Sequence, residues 1–255
     1  MKRGQARWSP GEPGAEEGRG ANRAVAAVRS TREVLQDVAD PSRLLTAAER
    51  DRADAFRYDA DRDDFVAAHV LVRRCLAELL GGRAGDHGVV QRCGACGGPH
   101  GQPAVVGHDD VHVSWSHAAG AVAAVAAHGP CGIDVEPRTP EVDAALLDLT
   151  LTDGEKTLVA VSQDPGTEFL RLWLRKEAIV KTGEAALDEV FSLDVREAGG
   201  GVLRPRTADG AAGRSWAITE HRSATHLAVV LTAENAVTSL HAGTAGSIRG
   251  EEPAR

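Results

Sequence analysis

Two acidic residues lie inside a short apolar run near the middle of the chain, CGIDVEP, residues 131–137. On a β-strand, residues two apart point to the same face and lie roughly 7 Å apart. This alternation turns Ile133 and Val135 toward a core and sets Asp134 and Glu136 side by side on the opposite face. Like charges so placed repel each other unless something positive sits between them. The strand therefore predicts a positively charged partner.

A helical segment further along the chain supplies another acid and a cation. In WLRKEAIVK, residues 173–181, Trp173, Glu177 and Lys181 recur at every fourth position and share one helix face. In an isolated helix this pattern is typical of a surface Glu–Lys pair beside a half-buried tryptophan. The rest of this helix is apolar and predicts burial, where an acid and a lysine need partners. The apolar positions are Leu170, Leu172, Leu174, Ala178, Ile179 and Val180.

A meeting of Glu177 with Asp134 and Glu136 would create an oxygen-rich site. Hard divalent cations prefer such ligands, and Mg²⁺ takes one or two carboxylates, with water and substrate phosphates completing its shell. Lys181, one helical turn beyond Glu177, would then contact a phosphate oxygen. Carboxylates, a lysine and a metal together describe a phosphoryl-transfer site. The spacing alone leaves a structural salt-bridge network as an open alternative.

A third segment, VHVSWS at 111–116, ends at His117 and suits an anionic ligand. Alternation along the strand predicts two faces, Val111, Val113 and Trp115 against His112, Ser114 and Ser116. At the corner that follows, the ring of His117 can donate to a phosphate, although an ordinary solvated turn histidine explains it equally. The Gly/Pro loop at 97–103 is able to bring backbone N–H groups close to a ligand.

The elements that must position these residues fall into two comparable halves. Each half shows a strand, a capping box, a long helix and then further strands, which predicts an α+β fold built from a duplicated unit. In the first half these are residues 23–30, Thr46 with Glu49, 61–80, 111–116 and 121–127. In the second they are residues 131–136, Thr152 with Glu155, 168–182, 191–195, 216–220 and 226–232.

The domain organisation follows from the same pattern. Residues 1–22 and 241–255 are rich in Gly and charged residues and predict disordered tails. Between them we expect an N-terminal subdomain at 23–130 and a C-terminal subdomain with the metal site at 131–240. A functional site at the junction of two such halves is a common arrangement.

Composition narrows the function classes. A net charge of −8 argues against broad binding of nucleic acid or anionic membranes. The longest apolar stretch is too short to span a membrane, and the N-terminus has no apolar signal region, so we expect a cytoplasmic protein. Cys93 and Cys96 form a single C-x-x-C whose zinc site would have to recruit His100, His108 or Cys131. Two loop thiols are the favoured interpretation.

Three motifs in order, S-x-S-H, G-I-D-x-E and W-x-x-K-E-A-x-x-K, resemble the 4′-phosphopantetheinyl transferases of the surfactin-synthetase-activating type. The resemblance covers roughly residues 44–235. It implies a pseudo-twofold pair of α+β subdomains with coenzyme A and magnesium in the cleft between them. It also implies transfer of phosphopantetheine from coenzyme A to a serine of an apo acyl- or peptidyl-carrier protein, with release of 3′,5′-ADP. One chain holds both halves, so a monomer suffices.

The resemblance also assigns roles to individual residues. Asp134, Glu136 and Glu177 match the metal-coordinating acids, and Lys181 matches a phosphate-contacting lysine. Glu177 is the most plausible acceptor of the serine proton, directly or through water. Ser116 and His117 match residues that hold the coenzyme's phosphates, and Arg52 falls where a basic residue near the nucleotide is frequent.

The chain departs from the family pattern at three places. Gln102 stands where the Gly-Lys-Pro loop has its lysine, and Asp64 stands where a coenzyme-contacting arginine is common. The glycine pair after the long helix is incomplete, as Gly183-Glu184-Ala185. Two lost cations weaken coenzyme binding unless Arg62 or Arg73 compensates.

Two rival functions remain open at this level. A magnesium-dependent phosphodiester hydrolase would use water in place of the carrier serine. A coenzyme A or carrier-protein binding module without turnover would bind the same ligands and release no product. A purely structural protein is disfavoured because it leaves three acids and a lysine on apolar segments unexplained.

Overall fold

The computed structural model describes residues 23–92, 96–98, 101–138, 142–196, 198–233 and 237–242. The longer helices are α1 (Thr31–Gln36), α2 (Ala47–Asp54), α3 (Asp59–Leu80), α4 (Ala144–Thr150), α5 (Asp153–Val161) and α6 (Pro165–Thr182), followed by the short α7 (Leu187–Val190). The first strands are β1 (Arg23–Ser30), β2 (Val89–Gln91), β3 (Pro103–Val105), β4 (Val111–Ala118), β5 (Ala121–His128) and β6 (Cys131–Pro137). The remaining strands are β7 (Ala198–Gly199), β8 (Val202–Leu203), β9 (Trp216–Arg222), β10 (His226–Ala233) and β11 (Val237–Ala242). The predicted mixture of helices and strands is confirmed.

A first sheet, in the order β11-β1-β5-β4, belongs mainly to the N-terminal half. Strands β1, β5 and β4 pair antiparallel, while β11 pairs parallel to β1. Helix α3 covers one face, where Val25, Ala27 and Val113 meet Leu71 and Leu76. Strand β5 reads AVAAVAA because it lies between two strands and is covered on both faces, which leaves no position for a polar residue.

A second sheet, in the order β6-β10-β9-β8-β7, is built by the C-terminal half. Helix α6 packs on β6 and β10, and its residues Leu172 and Ile179 join Leu227 and Val229 in a buried cluster. The other face of β6 and β10 packs against the alanines of β1 and β5. The layers therefore run α3, first sheet, second sheet, α6. The pseudo-twofold relation between the halves stays a prediction, as does the division into subdomains at residue 130.

Two features of the C-terminal half differ from expectation. Strand β11 includes His241 and Ala242, so the predicted tail at 241–255 is wrong at its first two residues, which pair with β1. Residues 1–22 and 243–255 lie outside the described residues. The segment 191–195 is not a strand, since only Asp194 forms a bridge, and the carbonyl of Phe191 is used by a lysine instead.

Other expectations hold at the level of single residues. Both capping boxes are present, at Thr46 with Glu49 and at Thr152 with Glu155. Across the described part of the chain, no helix combines the length and apolar character needed to cross a membrane. Cys93 lies outside the described residues, so the zinc question at Cys93 and Cys96 stays a prediction.

Candidate active site

The two sheets meet along a seam formed by their edge strands, β4 and β6. Hydroxyl groups of β4 bridge this seam. The N–H of Ile133 donates to Ser114 Oγ at 3.2 Å, and Ser116 Oγ donates to Asp134 Oδ1 at 2.6 Å. Because serines two apart point to the same side of a strand, the S-x-S spacing lets both reach β6. The predicted polar face of β4 is therefore the face that joins the two halves.

Gly132 explains how the long helix α6 comes close enough to contribute to the seam. A Cβ atom built at Gly132 would lie 2.0 Å from the carbonyl oxygen of Ala178, so only glycine fits under the helix. Asp134 lies two residues further on the same face of β6. Its Oδ1 atom is 2.6 Å from Lys181 Nζ, one turn beyond Ala178 on α6. The close strand–helix contact thus brings the predicted acids and lysine together.

Lys181 pairs with Asp134, and its charge also acts on Glu136 and Glu177. Burial, followed by the charges of Asp134 and Glu177, raises the pKa of Glu136 to about 7, and the charge of Lys181 opposes this shift. Burial likewise raises the pKa of Glu177, again with Asp134 adding and Lys181 opposing. Three carboxylates therefore share one ammonium group, and the cluster carries more negative charge than its own residues neutralise. Asp134 itself is 4% exposed and accepts from both Ser116 and Lys181.

The donor set of this cluster fits a hard divalent cation chemically, since every candidate ligand is a carboxylate oxygen. The charge of Asp134 also raises the pKa values of Glu136 and Glu177, as happens where carboxylates lack a sufficient counter-charge. Within the described ranges, however, no three His, Cys, Asp or Glu side chains are arranged closely enough to hold a metal ion together. Lys181 occupies Asp134 Oδ1, so a cation on that oxygen has to displace the ammonium group.

The other predicted residues lie around this cluster. His117 points to the face of β4 opposite Ser116, and burial lowers its pKa, with Asp64 and Lys181 among its charged neighbours. Lys181 lines a cavity of about 310 Å³ together with Gln102 and Trp115. Arg52 lies apart from the acids, in a second cavity of about 240 Å³ that adjoins the first through a shared residue, Gln91. Its guanidinium group covers the ring of Phe65 at 5.7 Å.

The family departures have structural explanations. The Gln102 amide lies directly over Gly183, where a Cβ atom would approach its Nε2 to 2.0 Å, and Gly183 ends α6 with φ of 83°. Asp64 is buried and accepts hydrogen bonds on both oxygens. Arg73 does not compensate for a lost cation, because its guanidinium group is engaged by Glu49 at 2.8 Å and by a backbone carbonyl.

Arg62, the other candidate for that compensation, pairs with Asp59 and Asp63 on an exposed part of α3. Two arginines of α6, Arg171 and Arg175, both contact Glu220 of β9. They join the helix to its sheet.

Sequence reasoning missed a buried ion pair beside the site. Lys176 and Glu155 are both 0% exposed, with Nζ and Oε2 2.8 Å apart. Lys176 also donates to the carbonyls of Thr150 and Phe191, and Glu155 accepts from the N–H of Val195. Two features of the sequence pointed to this pair: Glu155 is the acid of the second capping box, and Lys176 is a lysine on an otherwise apolar helix. The roles of Gly132 and Ser114 at the seam were also missed, although a glycine inside a strand often marks close approach by another backbone.

Comparison with known proteins reaches only part of the chain. No curated protein matches it. One family model matches a segment of the chain that begins just before β6 and ends with β10. This segment includes the second sheet, α6, the three acids and Lys181, but neither Arg52 nor the Ser116–His117 pair. Over residues 130–233, this chain matches the family model of the 4′-phosphopantetheinyl transferase superfamily, which supports a transferase of this kind.

Proposed function

We propose that this protein transfers the 4′-phosphopantetheine group of coenzyme A to a serine of an apo acyl- or peptidyl-carrier protein and releases 3′,5′-ADP in a magnesium-dependent reaction. The observation that carries the proposal is the cluster at the seam, where Asp134, Glu136 and Glu177 share Lys181 as their cation. The matched family segment contains all four residues.

Asp134, Glu136 and Glu177 are the residues that would hold magnesium in this proposal. The bound ion would supply positive charge to the pyrophosphate of coenzyme A. Its preference for one or two carboxylates together with phosphate oxygens and water means that the acids need not all bind it directly. The excess negative charge of the cluster favours the binding of a cation.

The chain's own residues account for the remaining steps. The side chain of Lys181 is 28% exposed, so its ammonium group can turn from Asp134 to a phosphate oxygen and offset charge in the transition state. The raised pKa of Glu177 suits it to accept the proton of the carrier serine, directly or through water. The serine oxygen bonds to the phosphorus that carries pantetheine as the P–O bond to 3′,5′-ADP breaks. Ser116 orients Asp134, and His117 faces the phosphates.

The same proposal includes the finer assignments. We assign the protein to the surfactin-synthetase-activating type, with a polyketide or nonribosomal-peptide carrier, a cytoplasmic setting and a monomeric enzyme. Support for a monomer comes from the seam, since β4 of one half and β6 of the other belong to one chain and together hold the cluster. The aromatic lining of the second cavity, beside Arg52, supports it as the place of the nucleotide.

The test is the intact mass of an apo carrier protein after incubation with the protein, coenzyme A and magnesium. The proposal predicts a gain of one phosphopantetheine, no gain with EDTA, and a gain about a thousandfold slower with Glu177→Gln. Glu168→Gln is the matched control on the same helix, since Glu168 pairs with Arg171 away from the seam, and it should behave as wild type.

Other outcomes would support the rivals. Cleavage of coenzyme A without a carrier acceptor would identify a hydrolase. Thermal stabilisation by coenzyme A without any product, across acyl- and peptidyl-carrier proteins, would identify a binding module and contradict the proposed transfer.

A further inference from the structure

The hairpin turn that follows His117 has an unusual residue for its conformation. Ala118 pairs with Ala121, so the turn consists of Ala119 and Gly120, with φ angles of 48° and 84°. Two-residue hairpin turns with both φ angles positive favour Asn-Gly or Gly-Gly. Alanine is disfavoured there because its Cβ crowds the backbone in the left-handed region. Surrounding contacts must therefore hold Ala119 in place.

Asp64 supplies those contacts from helix α3. The N–H of Gly120 donates to Asp64 Oδ2 at 3.0 Å, and Thr31 Oγ1 donates to Asp64 Oδ1. The N–H of Thr31 in turn donates to the carbonyl of Gly120 at 2.8 Å. The three residues form a closed ring of hydrogen bonds between α3, the start of α1 and the turn. Asp64 and Thr31 are 6% and 8% exposed, so water competes little for these bonds.

A residue of the second half of the molecule contacts the same turn. Nε2 of His226, on β10, lies 3.1 Å from the carbonyl oxygen of Ala118. The end of β4 is thus held from one side by the ring of Asp64, Thr31 and Gly120, and from the other by the second sheet. His117 precedes Ala118 directly, so its direction depends on this fixed turn.

We infer that Asp64 is a positioning residue for coenzyme binding, because it holds the β4–β5 turn and through it directs His117 toward the coenzyme's phosphates. This inference rests on the proposed function. It assigns Asp64 no contact with the coenzyme, since both carboxylate oxygens are engaged within the protein. It also explains how an acid is tolerated close to a site for an anionic substrate: its charge is committed to a hydroxyl and a backbone N–H.

The test combines removal of the ring with restoration of the turn by other means. Asp64→Ala should raise the KM for coenzyme A about tenfold while kcat changes about twofold or less. Asp64→Asn, which can still accept from Gly120 and donate to Thr31, should stay within about twofold of wild type. Asp64→Ala combined with Ala119→Asn should recover most of the loss, because Asn-Gly favours this turn without the ring.

Asp63→Ala is the matched control, since the Asp63 side chain is 46% exposed and pairs only with Arg62 among the contacts described. It should leave KM unchanged. An unchanged KM in Asp64→Ala, or no recovery on adding Ala119→Asn, would overturn the inference. Recovery would not follow if Asp64 acted through packing or through its charge.

A second readout separates this inference from the proposed function. Hydrogen exchange at the Gly120 amide should speed up about tenfold or more in Asp64→Ala and return toward wild type with Ala119→Asn. If wild type neither binds coenzyme A nor transfers phosphopantetheine, the proposed function fails, while exchange still tests the ring. Unchanged exchange would refute the ring itself. Should Asp64→Ala not fold, Thr31→Val removes one donor and should give a smaller change of the same sign.

Discussion

Lys176 and Glu177 are neighbours on α6, yet they belong to two regions with opposite charge balance. The side chain of Lys176 lies in a region where its charge is matched by that of Glu155, and two backbone carbonyls also accept from its ammonium group. Glu177 enters a region in which three carboxylates share Lys181. The first arrangement stabilises the fold. The second is electrostatically strained, as sites that bind cationic or phosphorylated ligands commonly are.

The comparison implies that the two regions respond differently to mutation. Removing a group from the matched region leaves a buried charge without its partner and costs stability. Removing a carboxylate from the strained region relieves repulsion and costs activity. Four predictions follow the comparison from the largest effect to the smallest.

Glu177→Gln and Asp134→Asn should each lower the rate of phosphopantetheine transfer by about a thousandfold, since an acid of the proposed metal and proton-transfer site is lost. The thermal midpoint of Glu177→Gln should equal or exceed that of wild type, because one of three repelling carboxylates is neutralised. Transfer rates from product masses and melting curves from circular dichroism measure the two effects. Near-normal transfer in both variants would show that these acids are not needed for transfer.

Lys176→Met should lower the free energy of unfolding by about 3–4 kcal/mol, because Glu155 stays buried without its cation. The double variant Glu155→Gln with Lys176→Met should recover part of this loss. Urea denaturation measures the free energy of unfolding of each variant. Lys156→Met serves as the control, because Lys156 pairs with Asp148 at the surface. A cost similar to that of the control would contradict the structural role of the buried pair.

Gly132→Ala should lower the free energy of unfolding by about 2–3 kcal/mol and also reduce transfer, since its Cβ would push α6 away from β6. Displacement of the helix separates Lys181 and Glu177 from Asp134. Gly199→Ala is the control, as no atom lies within 4 Å of a Cβ atom there. Equal behaviour of the two variants would mean that the contact at Ala178 does not set the distance between Asp134 on β6 and Lys181 on α6.

Stability should depend on pH with opposite sign for a carboxylate among like charges, Glu136, and for a carboxylate paired with cations, Glu49. The pKa of Glu136 in the fold is about 7 against an ordinary 4.5, so the folded state holds its proton more tightly. Its contribution is present below pH 4.5 and is lost as pH rises through 7, by about 1–2 kcal/mol after allowance for solvent screening. Glu136→Gln should remove this loss in denaturation curves measured with EDTA.

Glu49 provides the matched comparison. Burial alone would raise its pKa, but His69 and Arg73 lower it to about 2. Its contribution to stability is therefore present above pH 4.5 and is lost as pH falls toward 2. Glu49→Gln should lower stability between pH 5 and 7, where this contribution is present, and should make stability fall less as pH drops toward 2. Slopes of the same sign for the two glutamates would show that the difference between the regions is not one of charge balance.

Local patterns in the sequence determined much of this protein. Alternation located β4 and β6, helical periodicity located α3 and α6, and two capping boxes marked α2 and α5. The spacing was enough to place Asp134 with Glu136 on one strand face and Glu177 with Lys181 on one helix face, because these periodicities depend on backbone geometry alone. The contact between Asp134 and Lys181 depends on how the strand and the helix pack. The superfamily match over residues 130–233 includes all four residues.

Contacts between distant segments were decided only by the tertiary structure. No local pattern shows that β11 returns to pair with β1, that Ser114 and Ser116 join β4 to β6, or that Asp64 holds a turn 56 residues away. Nor does it show that Lys176 is neutralised by Glu155 while the adjacent Glu177 is left among like charges. These outcomes depend on which buried polar groups find partners after the layers have packed, and that is a property of the whole fold.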